Sequence, residues 1–360
     1  MPPNPEAQAR RATARRVRKN KPDAEIVLIC NPRAGGRWKE LAGILDSEEA
    51  QRVRRIVTDS VEDIAVAVSE LGREARLLCI YGGDGTIQRI LDRLAANRQD
   101  HINLALLGGG TMNVTSRWCG FPSKPAVAFR HVVRGYHSGE LLYKDVPVLE
   151  IETGSEFHRG FTFGIGPIVR LLDHYEHGKK GKIAAIGTAA RAVSAAWTNW
   201  PTSHQPLLSL MNADITLDGE RLPHDQWAAL FANVTGQINP GVEPFVQERG
   251  RDAFYCAAYA VSAREMTLAL PMLMRGWLPL DVAALLEPKR LRDRESRSDP
   301  RYINKTGSRI EIATDETIYT IDGEILPVEG GKLTVETGPH LRLAVGPGRV
   351  SLPGALDRLT

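Results

Sequence analysis

The sequence predicts an α/β domain with a doubly wound, Rossmann-like parallel sheet that binds a nucleotide, followed by a mostly β domain arranged as a sandwich. Three observations carry this. Glycine-rich turns follow three short, continuous apolar runs; strand and helix patterns alternate from Asp23 to about Tyr136; and after about Leu141 the pattern changes to many short strands. The runs Ile26–Cys30, Leu77–Tyr81 and Leu104–Leu107 have no polar alternation, which is how strands buried on both faces of a parallel sheet read. The turns after them are Asn31-Pro32-Arg33-Ala34-Gly35-Gly36-Arg37, Gly82-Gly83-Asp84-Gly85-Thr86 and Gly108-Gly109-Gly110-Thr111-Met112-Asn113. Glycines at the carboxyl ends of such strands let a phosphate approach the backbone, and the following helix directs free N–H groups and its positive end at the anion.

In chain order, strands are expected near 26–30, 53–57, 77–81 and 103–107, separated by helices such as Val61–Gly72 and Thr86–Ala96. This is the βαβ succession of a doubly wound sheet, where ligands bind at the strands' carboxyl ends. The second part contains strand-like runs at Val146–Glu152, Phe157–Phe163, Leu207–Leu210, Ala213–Leu217, Trp227–Val234 and Ala253–Ala260. More follow at Arg309–Ala313, Ile318–Ile321, Lys332–Glu336 and Leu341–Val345, with helical stretches near Ile183–Trp197 and 263–286. The pattern is that of an antiparallel sandwich with helical insertions. The expected division is a basic tail at 1–22, a nucleotide-binding domain at 23–140, a substrate domain at 141–345 and a C-terminal segment at 346–360.

Composition sets limits on the function. At 360 residues the chain has room for two cores, and 42% apolar and 25% charged residues are ordinary for a globular protein. A net charge of +3 argues against nucleic acid as a partner. Cys30, Cys79, Cys119 and Cys256 lack metal-ligand spacing and fit a reducing cytoplasm. Met266–Leu286 is interrupted by Pro271, Arg275, Gly276, Pro279 and Asp281, so it reads as a buried or interfacial helix rather than a membrane span. No apolar run follows the N-terminal arginines, so no secretory signal is expected.

The tail sets seven basic side chains against Glu6 alone. It reads as a solvated segment, or as one drawn to an anionic membrane at roughly 1 kcal/mol per basic residue. Glu287–Asn304 is dense in both charge signs and reads as an exposed loop. His174 and His177 sit at helical spacing without further ligands and read as surface residues. Trp197 and Trp200 read as core or cleft lining.

The chemistry concentrates in the turns. Gly82, Gly83 and Gly85 clear side-chain bulk from a phosphate path. Asp84 repels phosphate, so its sensible task is to hold Mg²⁺ or to orient a nucleotide hydroxyl. Thr86 is expected to cap the next helix and offer a hydroxyl. In the third turn Gly109 and Gly110 line a second amide loop, Thr111 is expected to cap, and Asn113 to hydrogen-bond the nucleotide. Pro32 fixes the backbone where the first strand ends, and Asn31 supplies an amide to bridge loop and ligand; Arg33 and Arg37 read either as steering phosphate or as solvated side chains. An ordinary tight turn with Asp84 as helix cap is the plain alternative.

Asn31-Pro32, Gly82–Thr86, Gly110–Asn113, Phe161-Thr162-Phe163-Gly164-Ile165-Gly166 and Ile321-Asp322-Gly323-Glu324 together resemble the diacylglycerol kinase catalytic-domain family. That family comprises bacterial lipid kinases related to sphingosine and ceramide kinases, within a superfamily that includes the NAD kinases and 6-phosphofructokinases. The resemblance spans most of the chain. It implies ATP and Mg²⁺ as cofactors, a nucleotide bound between an α/β and a β-sandwich domain, and Glu324 as catalytic base. A carboxylate is the right group for that task, because the attacking hydroxyl must lose its proton as it meets the γ-phosphoryl group. Asp-Gly between strands is also a common hairpin turn, and the chain holds a second copy, Leu217-Asp218-Gly219-Glu220. Position near the C-terminus favours Glu324.

The chain departs from the family at Val114, where many relatives carry Asp, at Gly164-Ile165-Gly166-Pro167, which lacks a frequent Asp, and at Arg249-Gly250 in place of Asp-Gly. A structural Mg²⁺ held by such acids is not expected here. The reading is an ATP-dependent kinase that phosphorylates a hydroxyl of a membrane lipid, diacylglycerol-like or sphingoid-like, in a cytoplasmic protein transiently bound at the membrane surface. A homodimer is compatible with it. The alternatives are a soluble-substrate kinase of the NAD kinase type and a catalytically inactive regulator that binds nucleotide or lipid.

Overall fold

The computed structural model describes residues 23–33, 38–110, 113–122, 124–177, 209–238, 242–281 and 298–346. The basic tail, Gly35, Gly36, Arg37, Thr111, the expected helix at Ile183–Trp197 with Trp197 and Trp200, most of the charged segment after Glu287, and 347–360 lie outside these. The chain divides into two units. One comprises the residues up to Val146 together with a return segment that starts at Pro339; the other runs from Pro147 to Gly338.

The first unit is α/β. Five strands, β1 (Asp23–Cys30), β2 (Val53–Val57), β3 (Leu77–Gly82), β4 (Asn103–Gly108) and the end of β17 (Lys332–Val345), line up in the order β17–β4–β3–β1–β2. All of these pairs are parallel. The helices are α1 (Trp38–Leu45), α2 (Glu48–Gln51), α3 (Val61–Ser69), α4 (Asp84–Ala96), α5 (Val114–Trp118) and α6 (Pro125–Ser138).

Residues of alternating parity in the strands face opposite ways. Ile26, Leu28, Cys30, Leu77, Cys79, Tyr81, Ala105 and Leu107 form one core with Leu41 and Ile44 of α1 and Phe129, Val132 and Val133 of α6. The intervening residues Val27, Ile29, Leu78, Ile80, Leu104 and Leu106 are equally buried, and α3 packs on α4, which packs on β3. Burial on both faces is why these strands are apolar without interruption. Burial also pushes the Cys30 and Cys79 thiols far above their ordinary range, and those of Cys119 and Cys256 up to about 12. All four therefore act as small hydrophobes.

The order β2–β1–β3–β4 reverses direction between β1 and β3. In doubly wound sheets that reversal opens a crevice at the carboxyl ends of the two central strands, because their following helices leave on opposite faces. Asn31 ends β1 and Gly82–Asp84 end β3, so the sequence motifs fall at this point.

The second unit is strand-rich. One sheet joins β10 (Gln226–Trp227), β8 (Met211–Leu217), β14 (Arg309–Thr314) and the first part of β17, all antiparallel. β9 (Glu220–Arg221) pairs with β8, and β6 (Glu156–Gly160) with β5 (Leu142–Thr153). The other sheet runs β13 (Tyr302–Gly307), β12 (Phe254–Tyr259), β11 (Ala229–Asn233), β7 (Thr162–Ile165), β15 (Ile318–Ile321) and β16 (Glu324–Pro327), also antiparallel. α7 (Pro167–His177) follows β7. α8 (Ala263–Leu273) lays Ala269 and Leu273 on Tyr255, Ala257 and Tyr259.

Several elements differ from the sequence expectation for identifiable reasons. The run 157–163 is two strands, because the carboxylate of Asp322 takes the amide N–H groups of Phe161 and Thr162 and ends one ladder before the next begins. Lys332–Glu336 and Leu341–Val345 are one strand, β17. The helix expected over 263–286 ends at Leu273, and Gly276 turns the chain with φ +69°. The charged segment extends into a strand at 302–304, where Tyr302 and Ile303 are buried. Ser209 and Leu210 are not in a strand.

Ile80 lies at the centre of β3 with no exposed surface, and Ile80→Ala is expected to lower unfolding free energy by about 2–5 kcal/mol in urea denaturation. Val66→Ala on the exposed side of α3, measured in parallel, should stay within about 0.5 kcal/mol of wild type.

Candidate functional site

At the carboxyl end of β1, the Asn31 N–H donates to the Tyr81 carbonyl at 2.8 Å and carries the ladder one residue past β1. Its side-chain amide donates to the Thr86 hydroxyl at 2.9 Å, and its carbonyl oxygen accepts from the Arg33 N–H at 2.9 Å. Asn31 thus ties the first turn to the first turn of α4. Pro32 is buried next to it. Within this unit its amide bridges the loop after β1 and the start of α4.

β3 and β4 pair in register up to Gly82 opposite Gly108, so their glycine turns leave the sheet at the same level. The Gly109 N–H donates to the Gly82 carbonyl at 2.8 Å. The turns then touch backbone to backbone. A Cβ on Gly110 would lie 2.7 Å from the Cα of Gly83, closer than real Cβ atoms come. At Gly82 a Cβ would meet the Thr86 side chain at 2.5 Å, and at Gly108 the Ser116 hydroxyl at 2.5 Å. At Gly109 it would meet the Tyr81 ring at 3.0 Å. The sequence reading assigned the glycines to a phosphate path. The structure adds a prior reason: four of them make room for the protein's own atoms.

The helix caps also differ from expectation. Gly83 is the N-cap of α4, with no side chain to accept from the first-turn amides, and Asp84 and Gly85 are the first helical residues. Thr86 lies inside the helix, buried, with its N–H bonded to the Gly83 carbonyl at 3.0 Å, and it does not cap. The uncapped first turn keeps amide donors and the positive helix end at the crevice. Asn113, with φ +52°, caps α5, a place assigned in the sequence to Thr111, which lies outside the described residues.

Asn113 is buried, and both ends of its side-chain amide engage Gly110. Oδ1 accepts from the Gly110 N–H and Nδ2 donates to the Gly110 carbonyl, each at 2.7 Å. Asn113 therefore shapes the loop from within. Its own N–H donates to Oδ2 of Asp84 at 3.0 Å. Asp84 so belongs to the same assembly as Asn31, Gly82, Gly83, Thr86, Gly109, Gly110 and Asn113. Val114 starts α5 beside it.

Glu324 belongs to the second unit. Ile321 pairs with Glu324 across a two-residue turn whose residues, Asp322 and Gly323, have φ +50° and +92°. Asp-Gly favours this turn because both positions need positive φ. The copy at 218–219 makes the same turn, with φ +48° and +82° and Leu217 opposite Glu220. The parallel extends to the carboxylates. Asp218 accepts from the N–H groups of Ser308 at 2.9 Å and Arg309 at 2.8 Å, and Asp322 from those of Phe161 at 3.0 Å and Thr162 at 2.9 Å. What separates the copies is the glutamate. Glu220 is exposed and meets the Lys305 ammonium at 3.3 Å, whereas Glu324 is half-buried and, among the described residues, has no hydrogen bond or ion pair.

Beside this turn lies a polar hub that the sequence reading missed. Asn233, fully buried, donates to the Thr162 hydroxyl at 2.7 Å and to the Gln237 carbonyl at 3.1 Å, and accepts from the N–H groups of Thr235 and Gly236. The available signal was one amide at the end of the apolar run Trp227–Val234. At Arg249-Gly250, the guanidinium of Arg249 donates from one nitrogen to the carbonyls of Gly250, Arg251 and Ala253 at 3.0, 2.9 and 2.6 Å. Its positive charge occupies that loop. His174 lies exposed on α7. No cluster of three metal-ligating side chains occurs among the described residues, and no helix there is long and apolar enough to cross a membrane.

Residues 25–139 match the diacylglycerol kinase catalytic domain. The match covers the strands, turns and helices that build the glycine assembly. No curated protein matches the chain. Among solved structures, a diacylglycerol kinase from Bacillus anthracis str. Sterne is 21% identical with a TM-score of 0.61, over 91% of this chain and 99% of its own. A second structure from that organism, named as a candidate diacylglycerol kinase, is 19% identical with a TM-score of 0.62 over the same shares. Yeast NADH kinase complexed with NADH is 13% identical with a TM-score of 0.47, over 95% of this chain and 90% of its own. The fold is thus that of the diacylglycerol kinase structures: an α/β unit followed by a strand-rich one.

Two substitutions test the assembly. Gly110→Ala, which sets a methyl group against the Gly83 backbone, should destabilise by about 1–3 kcal/mol. Asn113→Ala leaves the Gly110 N–H without its partner in a buried place and should cost about 1–3 kcal/mol. Urea denaturation of each variant reads both.

Proposed function

We propose that this protein is an ATP- and Mg²⁺-dependent lipid kinase that phosphorylates a hydroxyl group of a membrane lipid at the membrane surface. The observation that carries the proposal is the pair of glycine turns leaving β3 and β4 in register, next to the switch point between β1 and β3 and beside the uncapped start of α4. Free amides, a positive helix end and closely approaching backbone are what a chain of phosphates requires. The match to the diacylglycerol kinase catalytic domain supports the choice of kinase.

Gly82, Gly83, Gly85, Gly109 and Gly110 form the phosphate cradle, which Asn31 and Pro32 brace from β1, while Asn113 holds the Gly110 loop open. The donor set fits a metal that binds mainly to phosphate. Mg²⁺ keeps most of its shell as water and phosphate oxygen and needs only one or two protein carboxylates, and Asp84 sits at the cradle. When bound, Mg²⁺ neutralises charge on the phosphoryl oxygens. In the second unit Glu324 is a carboxylate without a partner among the described residues, presented at the exit of a rigid turn. It accepts the proton of the lipid hydroxyl as that oxygen attacks the γ-phosphorus and the bond to the bridging oxygen of ADP breaks. Asp322 keeps the turn in place through the buried amides of Phe161 and Thr162.

The test is transfer of labelled γ-phosphate from ATP with Mg²⁺ to lipids in mixed micelles, with NAD as a soluble comparison. A labelled lipid is expected. Glu324→Gln should lower kcat by about 100-fold or more, and Asp84→Asn should be comparably impaired. Glu220→Gln, in the equivalent turn, should keep wild-type activity. Labelled NAD without labelled lipid would replace the lipid acceptor with a soluble one. ATP binding without any labelled product would make the protein a nucleotide-binding regulator.

A further inference from the structure

Thirteen large hydrophobic side chains are exposed among the described residues, and six of them fall within one stretch: Leu268, Leu270, Met272, Met274, Trp277 and Leu280. Scattered apolar residues on a surface need no explanation, but a concentration like this one does. The stretch is the second half of α8 and the segment after it. α8 turns Ala269 and Leu273 to the sheet, and its outer face carries Leu268, Pro271 and Met272 between Arg264 and Arg275. Trp277 and Leu280 are more than half exposed, at 56% and 55%.

The backbone under these side chains is fixed. The Trp277 N–H donates to the Met272 carbonyl at 3.0 Å and folds the chain back on the helix end. The Met274 carbonyl accepts from the Glu243 N–H at 3.0 Å, the Pro279 carbonyl accepts from the Asp299 N–H at 2.9 Å, and Leu280 pairs with Ser298. Apolar groups held on a rigid tip lose little conformational freedom when they dock.

The charges around the tip point to one occupant. Glu265 is spent on the Ser262 cap and on Arg301 at 2.7 Å, Glu243 accepts from the Gln237 amide, and Asp281, next to Leu280, is engaged as well. The Arg275 side chain makes no hydrogen bond or ion pair among the described residues. An exposed tryptophan with leucine, methionine and an unspent arginine is the chemistry of the boundary between acyl chains and anionic headgroups. A two-fold contact with a second copy would instead gather the arginines of both chains at one interface.

We propose that the tip formed by the end of α8 and the segment through Leu280 docks into an anionic lipid bilayer surface. The docking deepens the lipid-kinase reading by assigning the surface that meets the substrate's membrane, but it needs neither ATP nor turnover. It is tested by co-sedimenting the full chain with vesicles of phosphatidylcholine, alone and mixed with phosphatidylglycerol, in the absence of nucleotide. Wild type should bind the anionic vesicles. Leu268→Ser combined with Trp277→Ser should weaken partitioning by about tenfold or more, also in high salt, where attraction by the basic tail is screened. Arg275→Glu should weaken binding to anionic vesicles and spare the neutral ones. Both variants should melt with wild type, since the replaced side chains are exposed.

Unchanged vesicle binding in both variants, or none by wild type, would overturn the proposal. So would a wild-type dimer on a sizing column that becomes monomeric in the double variant, which would make the tip a contact between copies. Loss of vesicle binding in the variants of a protein that phosphorylates no lipid would leave the docking intact and remove the kinase reading. The variants should phosphorylate a short-chain, water-soluble lipid as wild type does.

Discussion

The α/β unit depends on one close approach, the contact between the backbones at Gly83 and Gly110. It follows from β3 and β4 ending opposite each other at Gly82 and Gly108, so that two turns emerge side by side with no strand between them. A side chain on Gly110 would force the turns apart, and with them α4, α5 and the ends of β3 and β4. Glycine at position 110 is thus a packing requirement in its own right. The same absence of a side chain at Gly83 leaves the start of α4 without a side-chain cap, a helix end of the kind that suits an anion. Asn31 and Asn113 complete the corner by filling hydrogen-bonding positions that a ligand does not have to supply.

The two Asp-Gly-Glu turns show how local chemistry and function separate. Each turn needs two residues with positive φ, and each aspartate secures its turn by accepting amide hydrogens from a neighbouring strand. Up to this point the copies are interchangeable. They diverge only in what the surrounding sheets bring to the glutamate: Lys305 and solvent for Glu220, half-burial with no partner among the described residues for Glu324. A motif of three residues defines the turn. Its neighbours decide what the third residue meets.

The strands of the first unit were legible because burial on both faces demands unbroken apolar runs, and those at 26–30, 77–81 and 104–107 are such runs. The glycine turns were legible because runs of glycine directly after buried strands mark places where backbone must come close to other atoms. The helix caps were not, since Thr86 and Thr111 have good capping side chains and only the chain's course shows that Gly83 and Asn113 hold the cap positions. The break at Phe161 was hidden for a similar reason. It is made by Asp322, some 160 residues away, and no periodicity within 157–163 records it. Asn233 announced itself only as one polar side chain in an apolar run, and its partners come from a separate strand and the following loop.

What the sequence determined alone was the order and type of the elements and the identity of the turns, because apolar periodicity and the steric freedom of glycine act over a few residues. Tertiary structure decided which turns meet, which aspartates become strand anchors, which glutamate has no partner among the described residues and where apolar side chains remain uncovered. Each of these depends on registers and contacts between segments far apart in the chain. Their energies appear only once backbones have closed to within a few ångströms of each other, as Gly83 and Gly110 do.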